Sequence, residues 1–172
     1  QIMAAGGEAG FHSDLLRGGM HFGFWRWQYV IHKIRLVTIP QGKIGYVYAR
    51  DGEPLPPSQT LARVVASNNF QDARAFLGER GPETRGQRGR QRAILREGVY
   101  AINPALFIVI TEDAVYSLRN LQTAQERASI ESWQSELKEI DGFDPVVVGS
   151  GMKVPDPINP EQTQIVDSIG IV

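Results

Sequence analysis

The sequence predicts a β-rich α+β fold in which one β module is used more than once. One main amphipathic helix and a short second helix accompany it. Three observations carry this. A polar loop in the stretch 10–30, GFHSDLLRGGMHFGFWRWQYV, closes on Leu16-Arg17-Gly18-Gly19, and an aromatic segment leaves it. The stretch 89–102, GRQRAILREGVYAI, repeats that device, with Gly89, Leu95, Arg96 and Gly98 falling on Gly10, Leu16, Arg17 and Gly19. A shorter signal also recurs: Gly7-Glu8-Ala9-Gly10-Phe11 resembles Gly42-Lys43-Ile44-Gly45-Tyr46, and Ser168-Ile169-Gly170-Ile171-Val172 resembles both. Internal repetition is weighed first, because missing it misreads the whole fold. Finally, only the segment 121–140 has a sustained helical period.

Taken in order, residues 1–9 are small and polar and predict a loose lead-in. Phe22, Phe24, Tyr29, Ile31, Ile34, Leu36 and Val37 then predict one long strand with a bulge, from their aromatic and β-branched content. Alternation between Tyr29 and Val37 is incomplete. Pro40-Gln41-Gly42 punctuates it. Residues 44–50 form the next strand, with Tyr46 and Tyr48 on one face and Val47 and Ala49 on the other. Asp51-Gly52 signals a tight turn, and Pro54, Pro56 and Pro57 keep the next segment extended. Residues 61–65 read as a further short strand. Asn68 or Asn69 caps a short helix carrying Phe70, Ala73, Phe76 and Leu77, which stops near Gly78. Residues 78–92 read as a Gly- and Arg-rich loop. The continuous apolar run 106–111 reads as a buried strand, with 115–118 extending the pair. In the main helix, Ile130, Trp133, Leu137 and Ile140 step by three and four onto one face, opposite Glu136, Lys138 and Glu139. Gly142 ends it. A short strand at 146–148, a proline-rich linker at 149–160 and a last strand starting near Gln164 complete the chain.

A length of 172 residues suits one ordinary domain or two small ones. The repeat divides it into a first β module at 1–41, a second with helical insertions at 42–150, and a linker with the start of another at 151–172. Hydrophobic residues make up 42% and charged residues 22%, which is the balance of a globular chain. A net charge of −1 supplies no global field toward nucleic acid, and none is expected as a partner. The absence of cysteine excludes disulfides, thiolate zinc sites and a cysteine nucleophile. No apolar run is long enough to span a bilayer. Both ends read as cuts, so the expectation is a piece of a longer protein.

Chemistry-bearing motifs are sparse. The aromatic run Phe24, Trp25, Trp27, Tyr29 reads as strand core with one face at a partner interface, or as a stacking surface for sugars or bases. His12, His21 and His32 are too far apart for one helical turn or one strand face, so metal binding would need tertiary convergence. No cofactor is expected. Gly86-Gln87-Arg88-Gly89 imitates a phosphate loop, but no helix or lysine follows in place. The strongest charge feature is Arg80, Arg85, Arg88, Arg90 and Arg92, with Arg96 beyond them. It reads as a solvated loop, or as a surface for anionic headgroups, phosphates or an acidic neighbour. Arg17 and Arg96 occupy equivalent places in the repeat and serve the turn.

Leu16-Arg17-Gly18-Gly19-Met20-His21-Phe22, with the G-x-x-G segment before it, resembles the signature of the SPFH or band 7 family, which includes stomatin, prohibitin and flotillin. In that family an I-P-x-G-x-x-G-V strand occurs, and Ile39-Pro40-Gln41-Gly42-Lys43-Ile44-Gly45-Tyr46-Val47 is similar to it. The run 69–77 followed by 89–107 resembles large bacterial flotillin-like members. Gly18-Gly19 stands where Pro-Gly is usual, and Arg26-Trp27 where Pro-Phe would be. The resemblance implies repeated SPFH-like β modules, a membrane segment before Gln1 and a helical stalk after Val172. It implies a bacterial, membrane-associated, non-catalytic scaffold that forms a large homo-oligomer and organises membrane partners, with anionic lipid as a candidate contact and the side of the membrane open. The residues leave two other classes: a ligand- or carbohydrate-binding β module using Trp25 and Trp27, and a hydrolase using Asp51 and Glu53. The last has no nucleophile or base to pair with its carboxylates, so the chain is expected not to be an enzyme.

Overall fold

The structure is a computed structural model and describes residues 3, 9–79, 85–118, 123–140, 142–143, 152–155 and 162–166. Its frame is a four-stranded antiparallel sheet. The sheet holds β2 (Tyr46–Ala49), β3 (Gly89–Arg90), β5 (Phe107–Ile110) and β6 (Val115–Tyr116) in the order β3-β2-β5-β6. A second antiparallel pair joins β1 (Val37–Ile39) to β4 (Gly98–Tyr100), with Val37 opposite Tyr100 and Ile39 opposite Gly98. A third pair joins β7 (Met152–Pro155) to β8 (Thr163–Val166). Among the described residues there are two helices, α1 (Ala73–Phe76) and α2 (Ala124–Glu139). The class is α+β, mostly strands.

The apolar run around β5 is continuous because both faces of this strand are covered. Phe107 and Val109 enter one core with Val47, Ala49, Phe70, Phe76 and Leu106. Ile108 and Ile110 enter the other with Ile44, Ile130, Trp133 and Leu137. In the first core, Phe107 meets Phe76 edge-on at 4.8 Å and Phe70 at 5.2 Å. In the second, Tyr46 and Tyr48 on β2 meet the Trp133 ring at 5.9 and 6.4 Å. The period-2 split of Tyr46 and Tyr48 from Val47 and Ala49 is therefore the division between the two cores. Val37, Ile39 and Met3 also lie in the first core, so residues before position 41 share one core with those after it.

Helix α2 follows its sequence signals closely. Thr123 is the N-cap, and its hydroxyl accepts from the Glu126 amide at 3.1 Å. Ile130, Trp133 and Leu137 are buried against the sheet. Ile140, expected on that face, is the C-cap and is 71% exposed, because the helical path ends one residue before it. The Gly142 amide donates to the Leu137 carbonyl at 2.7 Å and closes the end.

Several expectations are corrected. No strand spans Phe22 to Val37; only Val37–Ile39 is paired. A strand needs a neighbour, and the segment before Val37 finds none among the described residues. Its chain turns back at Trp25, whose carbonyl accepts from the Gln28 and Tyr29 amides, both at 2.9 Å. The stretch 61–65 makes one parallel bridge, Ala62 with Gln91, and no strand. The cap of α1 is Asp72 rather than an asparagine; its carboxylate accepts from the Ala75 amide at 2.9 Å. Asn68, Asn69 and Phe70 instead form a left-handed turn with φ of 49°, 52° and 62°. Asparagine tolerates that region; Phe70 is held there by its ring contacts. Gly78, at φ 76°, ends the helical turn as expected. Strand β3 lies inside the segment read as an Arg-rich loop, and β7 inside the segment read as a linker. The expected strand at 146–148, Arg80, the lead-in at 1–2 and 4–8, and the terminal repeat at 168–172 lie outside the described residues.

The two L-R-x-G turns share their glycine conformation, with φ 142° at Gly19 and 147° at Gly98. Their surroundings differ. Gly98 opens β4 and Leu95 is 1% exposed, whereas no strand follows Gly19 and Leu16 is 41% exposed.

The second core can be tested at two residues. Trp133→Ala should cost about 3–5 kcal/mol in urea melts, the range for large aromatic truncations, while Ile140→Ala should stay within about 0.5 kcal/mol of the parent. The Tyr46 hydroxyl donates to the Gly142 carbonyl, and burial pushes its pKa above the ordinary tyrosine value. The unfolded chain then ionises first. The stabilisation is whole below about pH 10 and is lost as pH rises through the folded pKa. Alkaline melts should show that loss, and Tyr46→Phe should flatten it.

Candidate interaction surface

Among the described residues, the segment that lacks a strand partner is also the richest in exposed apolar side chains. Phe22 and Trp27 are each 83% exposed, Met20 82% and Trp25 62%; Val30, Ile31 and Leu36 are also exposed. Isolated exposed apolar side chains are ordinary, but a contiguous run of this kind marks an interaction site. Local contacts hold it. Phe24 meets Tyr29 edge-on at 5.3 Å, His21 meets Phe24 at 6.4 Å, and the His21 ring contacts the Arg17 carbonyl at 2.6 Å. Two further ring contacts tie it to the preceding loop, His12 with Tyr29 at 5.9 Å and Phe11 with His32 at 6.0 Å. Of the four aromatic candidates, Trp25 and Trp27 are open, Phe24 is exposed and Tyr29 is half-buried. They sit on a turn, not on a strand.

A charge pattern accompanies the aromatics. Between Asp14 and Asp51 the chain carries Arg17, Arg26, Lys33, Arg35, Lys43 and Arg50 and no acidic residue. Reading charge by windows, rather than by net value, would have found it. A near-neutral total hid it.

The arginine group does not act as one cluster. Arg85, Arg88 and Arg92 are exposed. Arg90 is on β3, opposite Tyr48, with its guanidinium 5.0 Å over the Trp133 ring and 3.4 Å from Glu136. It locks α2 to the sheet edge through cation–π contact and a partly exposed ion pair. Arg96 contributes its carbonyl to the turn, where it accepts from the Tyr100 hydroxyl at 3.0 Å. The phosphate-loop imitation is also structural: the Gly86 amide donates to the Phe76 carbonyl at 2.6 Å, and Gln87 is buried, accepting from the Arg63 amide at 2.9 Å. Asp51 accepts from the Met3 and Gly52 amides at 3.3 and 2.8 Å, and Glu53 pairs with Arg63.

Beside the aromatic segment lies an apolar groove of about 340 Å³. Its floor includes Val37, Ile102, Phe107 and Val109, and residues 32–35 form one rim. Among the described residues no group of three His, Asp or Glu side chains is placed to hold a metal, and no helix is long and apolar enough to cross a membrane. No protein-family model, curated protein or solved structure matches the chain.

The split among the arginines is measurable. Arg90→Gln should lower stability by about 1 kcal/mol, the size of a partly desolvated cation–π contact. Arg85→Gln, Arg88→Gln and Arg92→Gln should each stay within about 0.5 kcal/mol. Urea midpoints of the four variants check this.

Proposed function

We propose that this chain is a non-catalytic, membrane-associated scaffold module of the SPFH or flotillin-like type from a bacterial protein. It docks on an anionic bilayer through residues 20–36 and works by homo-oligomerisation and the organisation of membrane partners. The observation that carries the reading is the exposed aromatic segment with cations and no acids. Indole and phenol rings favour the headgroup level, where an apolar body and a polar edge are both satisfied. Each Lys or Arg near an anionic leaflet adds about 1 kcal/mol of attraction. Arg26, Lys33 and Arg35 supply that attraction from the same segment, with Arg17 just before it, and the exposed Arg85, Arg88 and Arg92 are secondary candidates for it. The motifs at 16–22 and 39–47 support the family and the scaffold role. Trp25 and Trp27 also favour a second reading, a carbohydrate-binding module, since open indoles stack on sugar faces.

The test uses vesicles. The chain should sediment with phosphatidylglycerol vesicles and not with phosphatidylcholine ones, and rising salt should release it as the Debye length falls below about 8 Å. Indole emission should shift to the blue on binding, from Trp25 and Trp27, because Trp133 is already buried. The double variant Trp25→Ala/Trp27→Ala should lose sedimentation and keep its urea midpoint. Equal binding to both vesicles, or none, removes the docking surface. Quenching by soluble oligosaccharide without vesicle binding selects the second reading. Sizing of the membrane-extracted full-length protein should give a large homo-oligomer; a monomer removes the scaffold role.

A further inference from the structure

The groove beside β1 joins an apolar floor to two cations of the docking segment. Its floor is apolar and built from core residues, Phe107 and Val109 of β5 among them, so its shape is held by the most buried strand. Its rim carries Lys33 and Arg35, both exposed, and among the described residues no acidic side chain lines it. Among the described residues neither cation has a hydrogen bond or ion pair. Other cations do: Lys43 lies 2.8 Å from Glu112, Arg50 lies 2.6 Å from Glu126, and Arg74 pairs with Asp14. The Tyr116 hydroxyl, also in the lining, donates to the Thr38 carbonyl at 3.1 Å.

We propose that this groove binds a single-chain anionic amphiphile of the fatty-acid class, with the acyl chain along the floor and the carboxylate on Lys33 and Arg35. Charge complementarity selects the head. An arginine fork accommodates both oxygens of a carboxylate, and a lysine beside it adds a point charge. Size selects the chain. At about 340 Å³ the cavity lies near the lower end of the range for small-molecule sites, about 300–1,000 Å³. A site of that size suits one slender acyl chain, for which a ten-carbon carboxylate is the probe. The lining matches the general pattern of an apolar pocket with a few placed polar groups.

The experiment is calorimetric titration of the chain with decanoate kept monomeric, beside decanol and phosphatidylglycerol vesicles. Decanoate should saturate one site, and decanol should bind at least about tenfold more weakly. Lys33→Gln/Arg35→Gln should weaken decanoate at least about tenfold, while Lys138→Gln, the loss of a charge on the exposed face of α2, should leave it unchanged. Val115→Trp, at the exposed edge of the floor on β6, should block the site; thermal melts confirm that each variant is folded. The proposal is overturned by non-saturable uptake, by equal affinity for decanol and decanoate, or by a folded rim variant that binds as the parent does. Loss in Trp27→Ala with the rim variant unaffected would place the site on the aromatic segment and overturn it as well. Vesicle binding without decanoate binding would end this proposal and leave the docking reading in place. Decanoate binding without vesicle binding would do the reverse.

Discussion

The four-stranded sheet and both helices lean on the four residues of β5. All four are buried, and their side chains alternate between two separate cores. Phe107 and Val109 hold the aromatic cluster and, through it, α1 with its left-handed approach. Ile108 and Ile110 hold α2 through Ile130, Trp133 and Leu137. Neither helix touches a sheet of its own; both are fastened to opposite faces of the same short strand. A one-residue slip in the pairing of β5 with β2 would exchange the two faces and put isoleucines where phenylalanine is needed. The register Val47 opposite Val109 is therefore specified from both sides at once.

Because the sheet is small, its edges need help. Two polar contacts provide it. The Arg50 guanidinium, 5% exposed, meets the Glu126 carboxylate at 2.6 and 3.1 Å and pins the start of α2 to the end of β2. Thr123 and Glu126 have the spacing of a capping box, yet the glutamate reaches Arg50 rather than its own N-cap amide. A buried pair of this kind adds little over an apolar contact but is costly to break, so it works as an orienting device. Arg90 does the equivalent at the edge strand β3, lying over Trp133. These contacts explain why the arginines of residues 85–92 have different fates although they look alike in sequence.

The elements legible in the sequence were those whose pattern is set by the core. The buried run at β5, the alternation in β2 and the face of α2 could be read because one local period decides each. What could not be read was set by partners far along the chain. Residues 22–36 have strand composition, but composition does not supply a neighbour, and β4 offers only three residues, all taken by Val37–Ile39. Gly89–Arg90 pairs as β3 inside a stretch whose charge suggests solvent, because Arg90 finds a ring to cover. The asparagines at 68 and 69 carry a cap signal and are used instead for their tolerance of positive φ. The candidate surface was half legible: the aromatics were found, the strand expected to carry them is a turn, and the run of cations without acids was hidden by a near-zero net charge.

The unsupported aromatic segment is the expensive feature of this molecule. Leaving Phe22, Trp25 and Trp27 in water forgoes burial that would stabilise the fold by about 1.5–3 kcal/mol for each large side chain. Five other aromatics, Tyr46, Phe70, Phe76, Phe107 and Trp133, are placed efficiently in the same chain, so the composition does not force the exposure. The cations in the segment oppose self-burial further, since Arg26, Lys33 and Arg35 would have to be desolvated without any acidic partner within the segment. A segment that resists folding onto its own domain, and that is sticky and positive, is what the proposed docking calls for, since an anionic bilayer is apolar inside and negative outside. The sheet behind it, closed on both faces, is the rigid support from which such a segment can be presented.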